Sequence, residues 1–393
     1  MPTVPHRRRR PQATRADVRE CVPPSHGFAR VEARCVDKPL HNPAISGHIH
    51  PQRHEISTCA PPDGPDFRRM EEPDSVEGMS TESYSLEALS DLKRRRFEAC
   101  DALQRRTRHP LVFARSDALE LLAVEKPIEP EAERRRTDMD VVVADQNGKG
   151  RLKNVRFLSW TGPIEAAPIG RTVLCTTPVC TWAHYAGILT LKELIVLGES
   201  MMRRDRRLIR ASLEDFHAYL GRADHFHGIR NCHRALALMQ EGTDSSQKTR
   251  TRLVPMMYGL PEPVVNHPVR LPNGRIIFLD IAYPELRIAI EYDGNYHRFS
   301  GDQVLRDDQR REELEDLGWI YIKVTVLDLR SEEGEERLAQ RIATKCEAVL
   351  GVPVPLRPRM TIRQICDGRR RTRKPLWEVV PRHLWRAPWA ATA

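Results

Sequence analysis

The sequence lacks long hydrophobic runs. No stretch of the 393 residues approaches the roughly 18–20 consecutive apolar residues that a membrane-spanning helix needs. The first residues are charged, and the apolar segment of a secretory signal peptide does not follow them. We therefore expect a soluble, intracellular protein that has no membrane partner.

Paired cysteines are missing as well. The nine cysteines are scattered along the chain without paired spacing, and their number is odd. Such a distribution is typical of proteins from a reducing compartment, where disulfide bonds do not persist. The sequence therefore predicts a cytoplasmic location.

Positive charge is concentrated at the two ends of the chain. Residues 1–60 contain ten Lys and Arg against five Asp and Glu, and residues 351–393 contain ten against two. Because the whole chain has a net charge of +9, the part between these ends carries about −4. Basic arms on a near-neutral body suit a polyanionic partner such as nucleic acid. An arginine-rich genome would produce the same composition, so both interpretations stay open.

Composition and periodicity divide the chain into segments. Residues 1–84 are rich in Pro, Arg, His and Ser and show no period of 2 or 3.6, which predicts disorder. Met70 and Met79 precede the first convincing helix, so a later translation start is an open hypothesis. After 1–84, the predicted segments are a mixed α/β accessory domain (85–241), a second α/β domain (246–350) and a basic tail (351–393).

The accessory domain has local signals of both helix and strand. The stretch LEALSDLKRRRFEACDALQRR predicts a helix, and MDVVVAD and RLKNVRFL flank the turn sequence QNGKG as a candidate hairpin. Thr190 with Glu193 predicts a capping box, and Ser212 with Asp215 opens another helix. No catalytic pattern is present here, and this region could instead bind a protein partner.

The second domain has a more regular order of elements. A helix at SQKTRTRLVPMM is followed by two strands around Pro272-Asn273-Gly274 and by a third strand, LRIAIEY. A helix from about Asp302 to Leu317, the strand WIYIKVTV and a helix from about Ser331 complete it. The order α-β-β-β-α-β-α predicts a mixed sheet with helices packed on its faces.

Two carboxylates lie within these hydrophobic strands. Alternation of side chains puts Asp280 on the face of Phe278 and Ala282, and Glu291 follows on the next strand. If the two strands are neighbours, Asp280 and Glu291 meet at one edge of the sheet. Paired carboxylates repel each other and are costly to desolvate unless they share a cation. Mg²⁺, or Mn²⁺, is a hard ion that prefers such oxygen ligands.

The helix after the third strand strengthens this expectation. At 100° per residue, Gln303, Asp307 and Arg310 fall on one stripe with Leu314 and Leu317. The apolar end of the stripe should face the core, and its polar end should then point towards the carboxylates. His297 lies in the loop between strand and helix and could join them.

These residues together resemble a known nuclease family. Asp280, Glu291-Tyr292-Asp293-Gly294, His297, Asp307 with Arg310, and LGWIYIKVT resemble the pattern of the very-short-patch-repair-like branch of the PD-(D/E)XK nucleases, often labelled domain of unknown function 559. The resemblance covers about 105 of the 393 residues. The preceding CTTPVCTWAHYAGILTLKELIVLGESM is more loosely similar to the N-terminal region of AbiEi-like antitoxins.

The resemblance implies a fold and a reaction. It implies a restriction-endonuclease-like sheet flanked by helices and an endonuclease that hydrolyses DNA with Mg²⁺, as in DNA repair. Asp280 and Glu291 would hold the metal with the carbonyl of Tyr292, and His297 would act as general acid or base or orient the water. Gln303, Asp307 and Arg310 would support this group or contact phosphate.

Two positions depart from the family pattern. The wider superfamily has a lysine two residues after the glutamate, where this chain has Asp293, and Lys323 on the next strand is the hypothetical replacement. Related sequences often carry a glutamate on the first helix, where this chain has Lys248. The alternatives to an endonuclease are therefore a non-catalytic DNA-binding or antitoxin-like regulator on a nuclease fold, and a protein-interaction scaffold.

The C-terminal tail combines basic and aromatic residues. In GRRRTRKPLWEVVPRHLWRAPW, Arg and Lys accompany three tryptophans. This composition could bind phosphates and stack on bases. Docking of the tryptophans on the protein's own surface is the favoured alternative.

Overall fold

The computed structural model describes residues 85–294, 301–368, 370 and 374–387, with only the backbone of 301–307. The chain divides into two units, Met1–Glu71 and Glu72–Ala393, and all of these residues belong to the second unit. Several sequence predictions lie outside the described part: the disordered segment 1–84, His297, and the side chains of Gln303 and Asp307.

The first part of the described chain forms a mixed sheet surrounded by helices. Its elements are α1 (Leu86–Gln104), β1 (Val112–Phe113), α2 (Arg115–Leu121), α3 (Glu131–Arg134), β2 (Met139–Val143), β3 (Val155–Ser159), β4 (Ala166–Ile169), β5 (Val173–Thr176), α4 (Pro178–His184), α5 (Leu191–Met201), α6 (Leu213–Arg222) and α7 (Ile229–Leu236). The strand order is β3-β2-β1-β5-β4, with both parallel and antiparallel pairs. The helix predicted first along the chain is confirmed as α1.

The predicted hairpin between β2 and β3 is wrong. The two strands are neighbours, but they pair in parallel, with Met139 opposite Val155 and Val143 opposite Ser159. The connection 144–154 is much longer than a two-residue hairpin turn and returns the chain to the starting end of β2. The turn-forming residues correctly indicated that the chain turns between β2 and β3. They did not indicate that β3 would run parallel to β2.

The two predicted helix caps have different outcomes. Ser212 and Asp215 form the reciprocal capping box that the sequence predicts for α6. At α5, the Thr190 hydroxyl accepts the N–H of Glu193 at 3.3 Å, so the N-cap is confirmed. The Glu193 side chain does not return to the cap, because both of its oxygens accept from Arg250, at 2.8 and 2.6 Å. A tertiary ion pair has replaced the local hydrogen bond.

The second part of the described chain forms another mixed sheet. Its elements are α8 (Ser246–Met257), β6 (Val264–Arg270), β7 (Ile276–Tyr283), β8 (Ile288–Tyr292), α9 (Gly301–Asp316), β9 (Ile320–Val324), α10 (Val326–Leu329), α11 (Glu332–Leu350), α12 (Ile362–Cys366) and α13 (Leu376–Val379). The strand order is β6-β7-β8-β9, antiparallel except for the parallel pair β8–β9. The mixed α/β class is confirmed, and the predicted order of elements is confirmed except for the additional short helix α10, which includes Val326 from the end of the predicted strand. None of the described helices combines the length and the apolar character that crossing a membrane requires.

One hydrophobic core extends from the first sheet to the second. Fully buried Trp182 and Leu194 from the first part share it with Leu253, Ile281 and Leu338 from the second. Burial of each such side chain stabilises the fold by about 1.5–3 kcal/mol. Helix α8 packs against both α5 and α11, so it lies at the centre of this core.

Helix α8 is also held by buried ion pairs. Its Arg250 binds Glu193, and its Arg252 binds Glu199 at 2.5 Å with both side chains fully buried. Buried charges are costly unless a partner neutralises them, so each arginine requires its glutamate. These pairs fix the position of α8 against the accessory part of the chain.

The side-chain alternation of β7 is interrupted near Asp280. Leu279 and Ala282 both belong to a small core cluster under α9, although regular alternation would put them on opposite faces. Asn266, on the neighbouring strand β6, has a φ of 49°, a left-handed conformation that regular strands do not contain. The expectation that Asp280 shares a face with both Phe278 and Ala282 is therefore wrong for Ala282.

Two tryptophans of the C-terminal tail pack on the protein itself. Trp377 and Trp385 contact the main core, and the Trp377 ring lies 5.3 Å from the ring of Tyr283. The favoured interpretation of the tail is confirmed for these two residues. The third tryptophan, Trp389, lies outside the described part of the chain.

Candidate metal-binding and catalytic site

Asp280 and Glu291 meet where β7 and β8 end their pairing. Ile281 lies opposite Ile290, and Asp280 and Glu291 are the next residues in this antiparallel register. Glu291 Oε1 accepts the backbone N–H of Asp280 at 2.9 Å, and Asp280 Oδ2 accepts that of Tyr292 at 3.3 Å. The predicted convergence of the two carboxylates is confirmed, and their role in metal binding stays a prediction.

Each carboxylate of this pair has a cation from a neighbouring helix. Lys248 Nζ of α8 lies 2.6 Å from Asp280 Oδ1. Arg310 Nη2 of α9 lies 3.0 Å from Glu291 Oε2 and also donates to the carbonyl of Phe278 at 2.6 Å. The polar side of α9 thus reaches the carboxylates at Arg310, as its helical phase predicted.

Lys323 does not contact the carboxylate pair. It lies opposite Glu291 in the parallel register of β8 and β9, but its ammonium group binds Asp293 Oδ2 at 2.5 Å. The Lys323 side chain is 58% exposed. The cations at the pair are therefore Lys248 and Arg310, and Lys323 and Asp293 form a separate, more exposed ion pair beside them.

The surroundings of Glu291 favour its protonated form. Burial raises the pKa of Glu291, and the charge of Asp280 raises it further. Arg310, the hydrogen bond from Asp280 and Lys248 lower the pKa again but do not offset the increase. It is therefore costly to keep both carboxylates ionised in this buried site, and an additional cation would favour their ionised forms.

Glu291→Gln is expected to stabilise the protein increasingly as the pH rises. A raised pKa means that the folded protein binds this proton more tightly than the unfolded chain, so stability falls as the pH passes from the ordinary Glu value through the raised pKa. Between pH 5 and pH 8, the free energy of unfolding of the variant should gain at least about 1 kcal/mol relative to the wild type. Urea unfolding in EDTA measures this difference.

The control for this comparison is Glu315→Gln, because Glu315 lies on α9 and its side chain is 46% exposed. The difference in free energy of unfolding between Glu315→Gln and the wild type should stay constant over the same pH range. A constant difference for Glu291→Gln as well would contradict the burial argument.

The accessory part of the chain also reaches this site. Asp244 Oδ2 lies 3.9 Å from Lys248 Nζ and 2.9 Å from Arg204. The Arg204 guanidinium lies over the exposed ring of Phe278, 4.6 Å from its centroid. Sequence reasoning missed both residues. Asp244 lies just before the N-cap of α8 and four residues before Lys248, so the two residues are close in the sequence, whereas no local pattern indicates Arg204.

The oxygen atoms of the pair suit a hard divalent ion. Each of the four carboxylate oxygens accepts one hydrogen bond or ion pair, from Lys248, Arg310 or the backbone N–H groups of Asp280 and Tyr292. An ionised carboxylate has about four accepting positions, so accepting positions remain. Among the described residues, no group of three or more His, Cys, Asp or Glu converges on one point. The residues present therefore fit a metal bound through two carboxylates and water, with Lys248 as its competitor.

Comparison with known proteins finds two relatives, both of which are described as uncharacterized. The uncharacterized proteins MT2308 and Rv2248 of Mycobacterium tuberculosis, from strains CDC 1551 / Oshkosh and H37Rv, are each 30% identical to this chain over 171 residues. The matched region is 43% of this chain and 60% of each relative, so the chain spans about three fifths of their length. No family model and no solved structure matches this chain.

Proposed function

We propose that the protein is an endonuclease that hydrolyses DNA phosphodiester bonds with Mg²⁺ or Mn²⁺. The observation that carries this proposal is the meeting of Asp280 and Glu291 on neighbouring strands, in a site where burial and the charge of Asp280 raise the pKa of Glu291 although Lys248 and Arg310 are present. The resemblance to the very-short-patch-repair-like nucleases supports it, because the same two positions would bind metal in that family.

In this proposal the chain's own side chains have distinct tasks. Asp280 and Glu291 would hold the ion, which supplies a bound water of lowered pKa and positive charge beside the phosphate. Arg310 positions Glu291 and ties it to the Phe278 carbonyl, and a guanidinium that is 36% exposed can also contact phosphate. Asp293 and Lys323 form an ion pair beside the two carboxylates, and the Lys323 side chain is exposed. His297 keeps the acid–base role that the resemblance implies.

A nucleic-acid substrate agrees with the surface beside the carboxylates. The exposed Phe278 ring and the Arg204 guanidinium over it offer an aromatic group that could stack on a base and a cation that could contact phosphate. The excess of Lys and Arg in residues 351–393 adds a favourable field for phosphates. A cytoplasmic location, a role in DNA repair and an unknown protein partner of the accessory part belong to the same proposal.

One observation favours a second candidate function. The Lys248 ammonium, 2.6 Å from Asp280, supplies from within the chain the positive charge that a metal ion would otherwise bring. A site satisfied in this way could belong to a regulator that binds DNA without cleaving it. Cleavage and DNA binding must therefore be measured separately.

Metal-dependent nicking of supercoiled plasmid tests the proposal. We expect nicking with Mg²⁺ or Mn²⁺ and none in EDTA. Lys248→Met should lower the metal concentration for half-maximal nicking, because it removes a cation near the ion. Lys248→Glu should lower that concentration further, by at least about tenfold relative to the wild type, because it replaces the cation by an anion. Binding of the same plasmid in EDTA shows whether each variant still recognises DNA.

Lys153→Glu is the matched control, since it makes the same charge change at an exposed residue of the first sheet region. Its metal requirement should equal that of the wild type. Plasmid binding without nicking at any metal concentration, in the wild type and in both Lys248 variants, would favour the regulator instead.

A further inference from the structure

A polar cleft of about 520 Å³ lies in the accessory part of the chain, beside the first sheet. Residues of α2, α3, β2 and β3 line it, together with Ser246 and Arg250 of α8. Clefts of roughly 300–1,000 Å³ are the usual size for small-molecule sites. Asp280 and Glu291 are not among its lining residues, so the cleft is separate from the candidate metal site.

Three guanidinium groups converge on one carboxylate in this cleft. Glu133 accepts Arg156 at 2.9 Å, and it lies 3.4 Å from Arg136 and 3.6 Å from Arg115. Asp140 adds a second carboxylate, but both of its oxygens bind Arg156, at 2.5 and 2.7 Å. The cluster therefore has three positive charges against two negative charges.

Arg115 is the member of this cluster with the weakest pairing. Its Nε is buried and has no hydrogen-bond partner. Its backbone has a φ of 48°, a strained conformation for a residue with a side chain, and such strain concentrates at ligand sites. Burial lowers the pKa of Arg115, and the neighbouring charge of Arg156 lowers it further. A partly buried cation in these surroundings gains from an added anion.

Two of the other acidic residues that line the cleft have partners of their own. Asp117 binds Arg96 at 2.9 Å, and Glu129 accepts the hydroxyl of Tyr185 at 2.6 Å. They do not supply the missing partner of Arg115. The lining of the whole cleft contains seven Lys and Arg against six Asp and Glu. Arg115 and Arg136, whose side chain is 45% exposed, have the longest contacts with Glu133 and are therefore the guanidinium groups best placed to accept another anion.

We infer that this cleft binds the phosphate group of a small ligand through Arg115 and Arg136. A guanidinium presents a planar fork of N–H donors that matches the oxygens of phosphate. The phosphate could belong to a nucleotide or be free in solution, and both sources offer the same oxygens to the cluster. The inference does not depend on the proposed nuclease activity, because the two sites share no acidic residue.

Isothermal titration calorimetry of the full chain in EDTA tests this site. Inorganic phosphate and adenosine 5′-monophosphate should bind, and adenosine should not. Arg115→Met should weaken both interactions at least tenfold, and Arg136→Met should weaken them less, because its side chain is more exposed. Tighter binding of the nucleotide than of inorganic phosphate would assign a nucleotide ligand, and equal affinities would assign the phosphate group alone.

Arg94→Met is the control, since Arg94 is 69% exposed on α1 and pairs only with nearby Asp91 in the described contacts. Circular dichroism shows whether Arg115→Met is folded. The variant Arg115→Lys keeps the positive charge but loses the guanidinium fork, so it separates a binding defect from misfolding. Equal binding of adenosine and its monophosphate, undiminished affinity in folded Arg115→Met, or no binding of either phosphate probe to the wild type would overturn the inference.

Discussion

Arg252→Met is expected to lower the free energy of unfolding by about 3–5 kcal/mol, the usual cost of removing one partner from a buried ion pair. Arg252 is fully buried, and its two terminal nitrogens bind Glu199 at 2.5 Å, Glu262 at 2.7 Å and the carbonyl of Leu238 at 2.8 Å. Methionine would fill part of the space but leave Glu199 charged, buried and without its counterion. Urea unfolding followed by circular dichroism measures the loss.

Arg94→Met serves again as the control here, because an exposed ion pair contributes only about 0–1 kcal/mol. The double variant Arg252→Met/Glu199→Gln should recover part of the lost stability, since it also removes the unpaired charge. A loss below about 1 kcal/mol for Arg252→Met would show that Glu199 does not need this partner, because its other bonds to Thr249 and to the N–H of Gln240 would then suffice.

If the proposed function is right, Asp280→Asn is expected to reduce metal-dependent nicking by at least about 1,000-fold, since it removes one of the two carboxylates proposed to bind the metal and the charge stabilisation that the ion would provide. Asparagine keeps the size of the side chain and an oxygen that can accept the N–H of Tyr292. Plasmid nicking rates at saturating Mn²⁺, compared between wild type and variant, measure the loss. Plasmid binding in EDTA should change little, because the fold and the basic surfaces are unaltered.

Asp316→Asn is the matched control, because Asp316 is an exposed carboxylate at the end of α9. It should nick DNA at the wild-type rate when it is purified in the same way. If Asp280→Asn also retained that rate, the activity would come from another residue or from a contaminating nuclease, and the proposed site would be wrong.

Local signals predicted the second sheet well. The turn at Pro272-Asn273-Gly274, the helix start at Ser331 and the apolar strands each determine one element, and neighbouring strands joined by short turns pair antiparallel. The convergence of Asp280 and Glu291 followed from this pairing alone. The class of fold and the position of the two carboxylates were therefore accessible from the sequence.

Contacts between distant parts of the chain were not accessible in the same way. The parallel pairing of β2 and β3 depends on how an eleven-residue connection packs, and Glu193 leaves its cap because Arg250, 57 residues later, offers a stronger partner. Lys323 was the hypothetical replacement for the superfamily lysine, but it pairs with Asp293, whereas Lys248 reaches Asp280 from α8. Helical phase predicted that Arg310 of α9 points towards the carboxylates, but no local pattern indicated that α8 brings Lys248 to Asp280.

The rigid attachment of α8 limits how Lys248 can give way to a metal ion. Rotation or translation of the helix would separate Arg250 and Arg252 from their buried glutamates, so the backbone beneath Lys248 is held in place. If Asp280 binds a metal ion, as proposed, Lys248 would then have to leave Asp280 through torsions of its own side chain alone. Asp244 Oδ2, 3.9 Å from the ammonium group, is a second acceptor within reach of that rotation. The site could accordingly load and release an ion while its main chain stays still.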